Sequence, residues 1–531
     1  FNSYTQELII EKAVVLKPNG TEIKADLNQN HVVFKTLEKN DTIYLKWSVK
    51  NYNSGRLFSD FWDTQYFNSF YPSKLTRYSL LTPKGCDFRS SAQNIPNDPV
   101  KKETDAGVIH QWVVKDEPAV EIEPGMPGLT DIGKVLYISS VADWDSIVAW
   151  YADLAHTKTR SSHEIKEQVE KLFAGKKNVS DEEKIETIYN FITENIRYSS
   201  VSFRQSGLVP QKARDVLVNK IGDCKDLATL YITMLNEVGV KAHYVLLNTR
   251  DAGQHQNALP AIFFNHCIVA VETPNGLRYL DLTAHNHPAN SLPALDLEAF
   301  SLLIKPGVNK AGLLPADKLA LRQVSHDSSI EVKDDRSIRV EYKSNWQGAA
   351  GAYPKQAFRD RGDQEREKII TNALGRSFPG VKVTRLGFEG LDAPGSAARV
   401  TYNFDAPNYI TEAGQFKLLR VPWNSRMAAP SQEKRKFAYY YWPYADRIDE
   451  RIEIRLPAGY EPVDLGKEVK LTSAIADYQL SFTYADGKIV AKRELLNKKA
   501  VVTPEEYAEF KQFCNRVIKE DERSILLKSS Q

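Results

Sequence analysis

The sequence is poor in cysteine, nearly balanced in charge and free of long apolar runs. Only four cysteines, Cys86, Cys224, Cys267 and Cys514, are scattered over 531 residues. They form no CxxC pair and no zinc-ligand spacing, which argues against a disulfide scaffold or a structural zinc site. Lys plus Arg total 70 and Asp plus Glu 68, a net charge of +2. That balance gives no electrostatic reason to expect nucleic acid or an anionic membrane as the main partner, although a local patch stays open. No apolar stretch approaches the roughly 20 residues that span a bilayer. The most apolar, such as Ala261 to Val271, are strand-length, so no integral membrane helix is expected. No internal repeat or low-complexity tract is visible. The chain opens at Phe1 without Met or an apolar leader, so either a signal peptide has been removed or this is a piece of a longer sequence.

What is present is ordinary globular composition, 42% hydrophobic and 26% charged. At about 150 residues per domain the length fits three or four domains. Residues 1–140 read as β. Short strand-like runs (Glu7 to Val15, His31 to Lys35, Thr42 to Val49, Val108 to Val114) alternate with turn signals such as Pro18-Asn19-Gly20 and Pro83-Lys84-Gly85. A β-sandwich-like unit is expected, with the Pro-rich acidic segment Asp116 to Pro127 leading out of it. Residues 141–305 change character. Ala142 to Leu154 reads as a helix, and Ser180 to Glu183 has the form of a capping box before Ile185, Ile188, Tyr189, Ile192 and Ile196. A further helix begins near Asp223. Strands follow at Ala242 to Leu247, Phe263 to Val271 and Leu277 to Leu282, an α+β order. Residues 306–531 return to β, as one or two domains. They carry a hairpin around Asp334-Asp335, a helix at Gln364 to Leu374, strands at Ile452 to Leu456 and Val469 to Phe482, and a closing helix at Pro504 to Lys519.

The sharpest chemistry sits at Gly222-Asp223-Cys224-Lys225-Asp226. Asp223 is a good N-cap and Asp226 lies three residues on. Leu227, Ala228, Leu230, Tyr231, Met234, Leu235 and Val238 form an apolar stripe, and Gly239 stands where a C-terminal cap belongs. Cys224 therefore occupies the first turn of a buried helix. There the dipole and the free amides favour a thiolate, and a backbone N–H can hold an oxyanion. A nucleophilic thiolate needs an oriented histidine. His266 stands in one strand and Asp281 in the next, joined by the hairpin signal Thr273-Pro274-Asn275-Gly276. With a two-residue loop, paired positions sum to an odd number. His266 and Asp281 then share a face, offset along the strands, and Cys267 points away, which makes it a poor nucleophile.

The GDCKD helix start, the Phe264-Asn265-His266 strand and the Tyr279-Leu280-Asp281-Leu282-Thr283 strand resemble the transglutaminase-like superfamily, whose core has a papain-type fold. His266 follows Cys224 by 42 residues and Asp281 follows His266 by 15, separations that suit that core. Ile196-Arg197-Tyr198 and Leu208-Val209-Pro210 look like its lead-in. The resemblance implies Cys224 as nucleophile, His266 as general base and acid, and Asp281 as the orienting group, with no cofactor and no metal. One departure is Leu282, where many relatives have Pro. Lys39 to Val49, Trp112 to Pro127 and Trp144 to Tyr151 resemble a β-domain of unknown function that often precedes this core in bacterial exported proteins. The C-terminal third resembles that architecture's β-rich tail. The resemblance implies acyl transfer on amides by a cysteine protease, an amidase or a cross-linking enzyme. It also implies an exported, periplasmic or cell-surface location and a protein, peptide or cell-envelope amide as substrate.

Each of these residues also has a plain structural reading. Cys224 alone would be a buried structural cysteine, and His266 and Asp281 alone a strand histidine and a turn-proximal carboxylate; the set carries the argument. His285 and His287 could join Asp281 around a metal but lack a third firm ligand. Gln205 and Tyr198 lie upstream of Cys224, as an oxyanion donor often does, and spacing fixes neither. Phe437 to Trp442 with Tyr444 is an aromatic cluster that fits core or inter-domain packing better than sugar stacking. Two readings remain. One is a thiol acyl-transfer enzyme, with water as the default acceptor. The other is a non-catalytic envelope or glycan-binding protein that keeps the core as a scaffold. The intact triad favours the enzyme.

Overall fold

The computed structural model describes residues 6–28, 31–52, 55–200, 208–255, 257–315, 322–441 and 443–529. In the N-terminal region the long runs Gln6–Leu16 and Thr42–Asn51 pair antiparallel, with Leu8 opposite Val49 and Val14 opposite Tyr44. Ser73–Thr82, Gly107–Glu117 and Val100–Thr104 make a second three-stranded sheet. Trp62–Tyr66, Val135–Ser139 and Arg89–Gln93 make a third. The expected sandwich-like unit is thus assembled from small antiparallel sheets around Phe67, Trp112, Leu136 and Ile138.

Helices then lead, as their caps require. Trp144–His156 starts on Asp143, whose carboxylate accepts from the Ser146 amide at 2.8 Å. Asp181–Asn195 starts on Ser180, whose hydroxyl accepts from the Glu183 amide at 3.2 Å. Cys224–Glu237 is the central helix, with every residue from Lys225 to Leu235 buried. It packs on a five-stranded antiparallel sheet ordered Gly276–Leu280, His266–Thr273, Ala242–Asn248, Phe300–Leu303, Gly312–Leu313. The strands alternate between two apolar layers. Leu246, Cys267 and Val269 face the helices, while Val245, Leu247, Ile268 and Ala270 fill the opposite side.

The C-terminal region is built on an eight-stranded sheet. Its centre is a parallel pair, Gln323–Val332 beside Arg447–Arg455. Gln323–Val332 also forms the expected hairpin with Ile338–Gln347, Val332 lying opposite Ile338. The run from Val469 to Phe482 is two strands, not one: Val469–Thr472 and Ala476–Ala485 turn at Ser473, whose hydroxyl accepts from the Ile475 and Ala476 amides. Helix Tyr507–Asp521 buries Phe510, Phe513, Cys514 and Val517.

The Pro-rich segment does more than leave the first region. Glu123, 7% exposed, accepts from the backbone amides of Lys436 and Phe437, and its carboxylate lies 3.4 Å from Arg435. Tyr440 donates its amide to the Gly125 carbonyl at 2.8 Å. The aromatic cluster therefore packs at a seam: Tyr439 and Tyr441 meet Phe510, and Arg250 of the middle region stacks over Tyr440. Trp442 lies outside the described residues.

Candidate active site

Cys224 is the first residue of its helix and half-buried. The turn that carries it is over-determined. Asp223 accepts from the Asp226 amide at 3.3 Å, and Asp226 accepts from the Asp223 amide at 3.1 Å, a reciprocal capping box. Asp226 also takes the Gln211 backbone amide at 2.7 Å and its side-chain amide at 2.6 Å. The lead-in segment is thereby tied to the helix start. Gly222 packs so close that a Cβ there would sit 2.7 Å from the Asp226 Cβ. Tyr198 pairs with Gly222 in a short parallel bridge beside the thiol.

His266 opens the strand His266–Thr273, three residues later than the sequence pattern begins. The hairpin to Gly276–Leu280 has the two-residue loop 274–275, since Thr273 lies opposite Gly276. Extending that register puts Asp281 opposite Ile268, on the His266 face and one step along. There the His266 Nε2 lies 3.3 Å from the Asp281 Oδ2. Asp281 is fixed in turn by the Thr283 amide and hydroxyl, each donating at 2.8 Å. The buried Tyr189 hydroxyl, from helix Asp181–Asn195, donates to the Asp281 carbonyl at 3.2 Å. The Cys224 side chain also interacts with the His266 ring and adds to holding it charged. The structure thus brings Cys224, His266 and Asp281 together. Cys267, on the other face of its strand from His266, is buried in the helix-side layer, where burial first and then the Cys224 charge push its thiol pKa well up.

The electrostatics decide the charge state. Burial works to lower the His266 pKa. The Asp281 charge and hydrogen bond and the Cys224 contact outweigh it, leaving the ring well above its ordinary range. Burial likewise works against an ionised Asp281, but His266 and the two Thr283 donors hold its pKa below the usual value. The paired form, imidazolium with carboxylate, is the stable one.

Asp296 was not singled out from the sequence. It is 2% exposed, and burial and the Asp281 charge push its pKa well up, so it stays a neutral acid beside Asp281. The only sequence signal was an acidic residue between Leu295 and Leu297, and the neighbouring Glu298, half-exposed and paired with Arg250, carries the same one. His266, Asp281 and Asp296 offer ligand atoms within 4.8 Å of one another, the group of described residues most able to hold a metal. A cation there would compete with the His266–Asp281 pair. His285 and His287 are not in that group: His285 donates to the Thr193 carbonyl at 2.7 Å, and His287 lies 3.5 Å from the Ser291 hydroxyl. Of the two oxyanion candidates, Gln205 lies outside the described residues. Tyr198 lies near Cys224. Burial first, then the charges of Cys224, Asp223 and Asp281, push its hydroxyl up to about 12, so it remains a donor.

Residues 166–280 match the transglutaminase-like superfamily, so the chain carries a transglutaminase-like core. On either side, residues 1–121 match the domain of unknown function DUF3857 and residues 416–527 the domain of unknown function DUF3858. A presumptive protease from Parabacteroides distasonis shares the fold, with a TM-score of 0.65 and 15% identity over 99% of this chain and 90% of that one. A presumptive cysteine protease from Cytophaga hutchinsonii aligns over 42% of this chain and 78% of that one at 14% identity, with a TM-score of only 0.20. No curated protein matches the chain.

Proposed function

We propose that the protein is a thiol-dependent acyl-transfer enzyme acting on amide or peptide bonds. The observation that carries this is the Cys224 thiol at a capped helix start, interacting with a histidine that Asp281 holds and charges. The Cys224 sulfur attacks the amide carbonyl and forms the C–S bond of a tetrahedral intermediate. His266 delivers its proton to the nitrogen as the C–N bond breaks, and the amine leaves. The thioester then passes to water, giving the acid, or to a second amine, giving a new amide; His266 takes the proton from whichever attacks. The backbone amides of the helix's first turn face the developing oxyanion, and Tyr198 is the side-chain donor closest in character. Water is the default acceptor, in keeping with the protease name of the Parabacteroides distasonis structure. The resemblance, rather than any contact, is the basis for proposing an exported protein acting on protein, peptide or envelope amides.

An epoxysuccinyl peptide, which alkylates activated cysteines, tests the reading. It should label Cys224 alone, with labelling abolished in Cys224→Ala and slowed at least about a hundredfold in His266→Ala. Incubation with peptide mixtures and an amine donor, read by mass spectrometry, then separates new termini (hydrolysis) from incorporated amine (transfer). Failure of any cysteine to label faster than free thiol would leave the core as a scaffold.

A further inference from the structure

A cavity of about 880 Å³ lies in the C-terminal region, away from Cys224 and independent of its chemistry. Its floor is one face of Gln323–Val332, Ile338–Gln347 and Ala398–Ala406. The pleat puts His326, Ser328, Tyr342, Ser344 and Tyr402 on that face. Its roof is helices Ala352–Phe358 and Asp363–Gly375 and the segment 420–426. The second helix meets the sheet at its edge strand Lys382–Glu389, where Arg366 lies over Phe388, and Ile370 is its one buried residue. A closed domain would seal this face with interdigitated apolar side chains. Here aromatic rings line a space instead, with Tyr342 stacked on Tyr402 at 4.3 Å and Phe378 tilted against Phe404 at 4.9 Å.

Two polar features break the apolar lining. His326, 4% exposed, bonds Tyr342 Oη through Nδ1 at 2.7 Å, while its Nε2 is buried and has no partner among the described residues. Burial and the nearby Arg493 charge push its pKa down to about 3, so the ring is neutral. A buried polar atom without a partner costs free energy that a bound group can recover. At the rim stand Arg376, Arg420 and Arg426, and no acidic residue lines the cavity. Arg376 and Arg426 are exposed and form no ion pair among the described residues; Arg420 is mostly exposed and lies 3.5 Å from Glu522. An apolar chamber of this size with few polar groups and a basic mouth has the make-up of a small-molecule site.

We infer that this cavity binds an amphipathic anion, its apolar chain or ring system among the aromatic walls and its acidic head at the arginine rim. The probe is cis-parinaric acid, a long-chain polyene carboxylate whose fluorescence rises on sequestration, titrated into the full chain below its micelle concentration. The wild type and Cys224→Ala should bind it saturably at one site with equal affinity. Ala357→Trp or, on the exposed side of the roof, Ala373→Trp should weaken binding at least about tenfold by filling the chamber. Arg376→Glu with Arg426→Glu should weaken the carboxylate about tenfold and leave the corresponding polyene alcohol nearly unchanged. Thermal melts confirm that each variant is folded. No saturable binding to the wild type, or binding that folded Ala357→Trp and Ala373→Trp both leave untouched, overturns the inference. Equal losses for carboxylate and alcohol in the arginine variants overturn the anionic head.

Discussion

Asp281 does two jobs at one residue: it aims the His266 ring and it keeps the ring charged. Burial alone would discharge His266, and Asp281 reverses that outcome. In Asp281→Asn the amide still hydrogen-bonds, but the charge is gone. The His266 pKa should then fall from well above 6.5 to that value or below, read by NMR titration of labelled histidine. The sign for stability follows. A raised histidine pKa stabilises fully below the unfolded value and is lost as pH rises through the folded one, so Asn removes stability on the acid and neutral side. The proton for the leaving amine disappears over the same alkaline window. An unmoved pKa would contradict the role. Asp296 behaves differently because it is already neutral. Asp296→Asn keeps a neutral donor to Asp281 and should change Cys224 alkylation less than about twofold, whereas Asp296→Ala should slow it by about the worth of one hydrogen bond, near tenfold. A large effect of Asn would mean that Asp296 acts as an anion. Cys224, His266 and Asp281 were legible because each sits beside a strong local signal: a cap, a strand, a hairpin turn. Asp296 was not legible because its role depends on folding the 288–299 loop back over Asp281.

At the scale of the element, the turn before the Cys224 helix is where backbone packing meets chemistry. Gly222→Ala would drive a methyl into the Asp226 Cβ at 2.7 Å and Val216 Cγ1 at 3.3 Å. The expected outcome is a loss of about 1–3 kcal/mol in denaturant unfolding, together with slower alkylation of Cys224. Gly239→Ala, at the other end of the same helix, meets open space at φ +77°. It should cost about 1 kcal/mol of backbone strain and leave the thiol's rate alone. Equal effects on reactivity would mean that the capped turn does not set the thiol's environment. The helices were legible from their caps, and the strands from alternation. What local pattern did not carry was pairing at long range. Phe300–Leu303 enters the core sheet between Ala242–Asn248 and Gly312–Leu313, and Gln323–Val332 runs parallel to Arg447–Arg455. Those partners are chosen by which apolar faces can be buried together, a property of the whole sheet.

Across the whole molecule, three regions are joined by buried polar contacts. Glu123 holds Arg435, which is 2% exposed, and two backbone amides of the C-terminal region. Thr130 donates to the Ala252 carbonyl at 2.5 Å, and Ser139 to the Pro260 carbonyl at 2.5 Å. Removing one partner of a buried pair strands the other, so Glu123→Ala should cost about 3 kcal/mol and speed proteolysis within 118–127. No change in cleavage there would count against the seam. The Pro-rich acidic composition announced a connection, but not that the strap would also bind a region more than 300 residues later. Three histidines in three places, buried His255 and His326 and half-buried His287, are held neutral by desolvation, with pKa values of about 4 for His255, about 3 for His326 and about 4 for His287. A depressed histidine pKa leaves stability intact above the unfolded value and erodes it as pH falls. The unfolding free energy from denaturant titration should therefore drop between pH 6.5 and 4, by an amount on the order of a few kcal/mol.

The central claim is that Cys224 and His266 work as a pair. The most direct test is the alkylation rate of each cysteine against pH, read by peptide mass spectrometry, in the intact protein and in His266→Ala. Burial holds Cys267 well up and Cys514 at about 12, so both should stay silent, and half-exposed Cys86 is the internal reference. The account predicts that Cys224 alone reacts fast below pH 7 and that His266→Ala slows it. A Cys224 that reacts no faster than Cys86, or whose rate ignores the loss of His266, would contradict it.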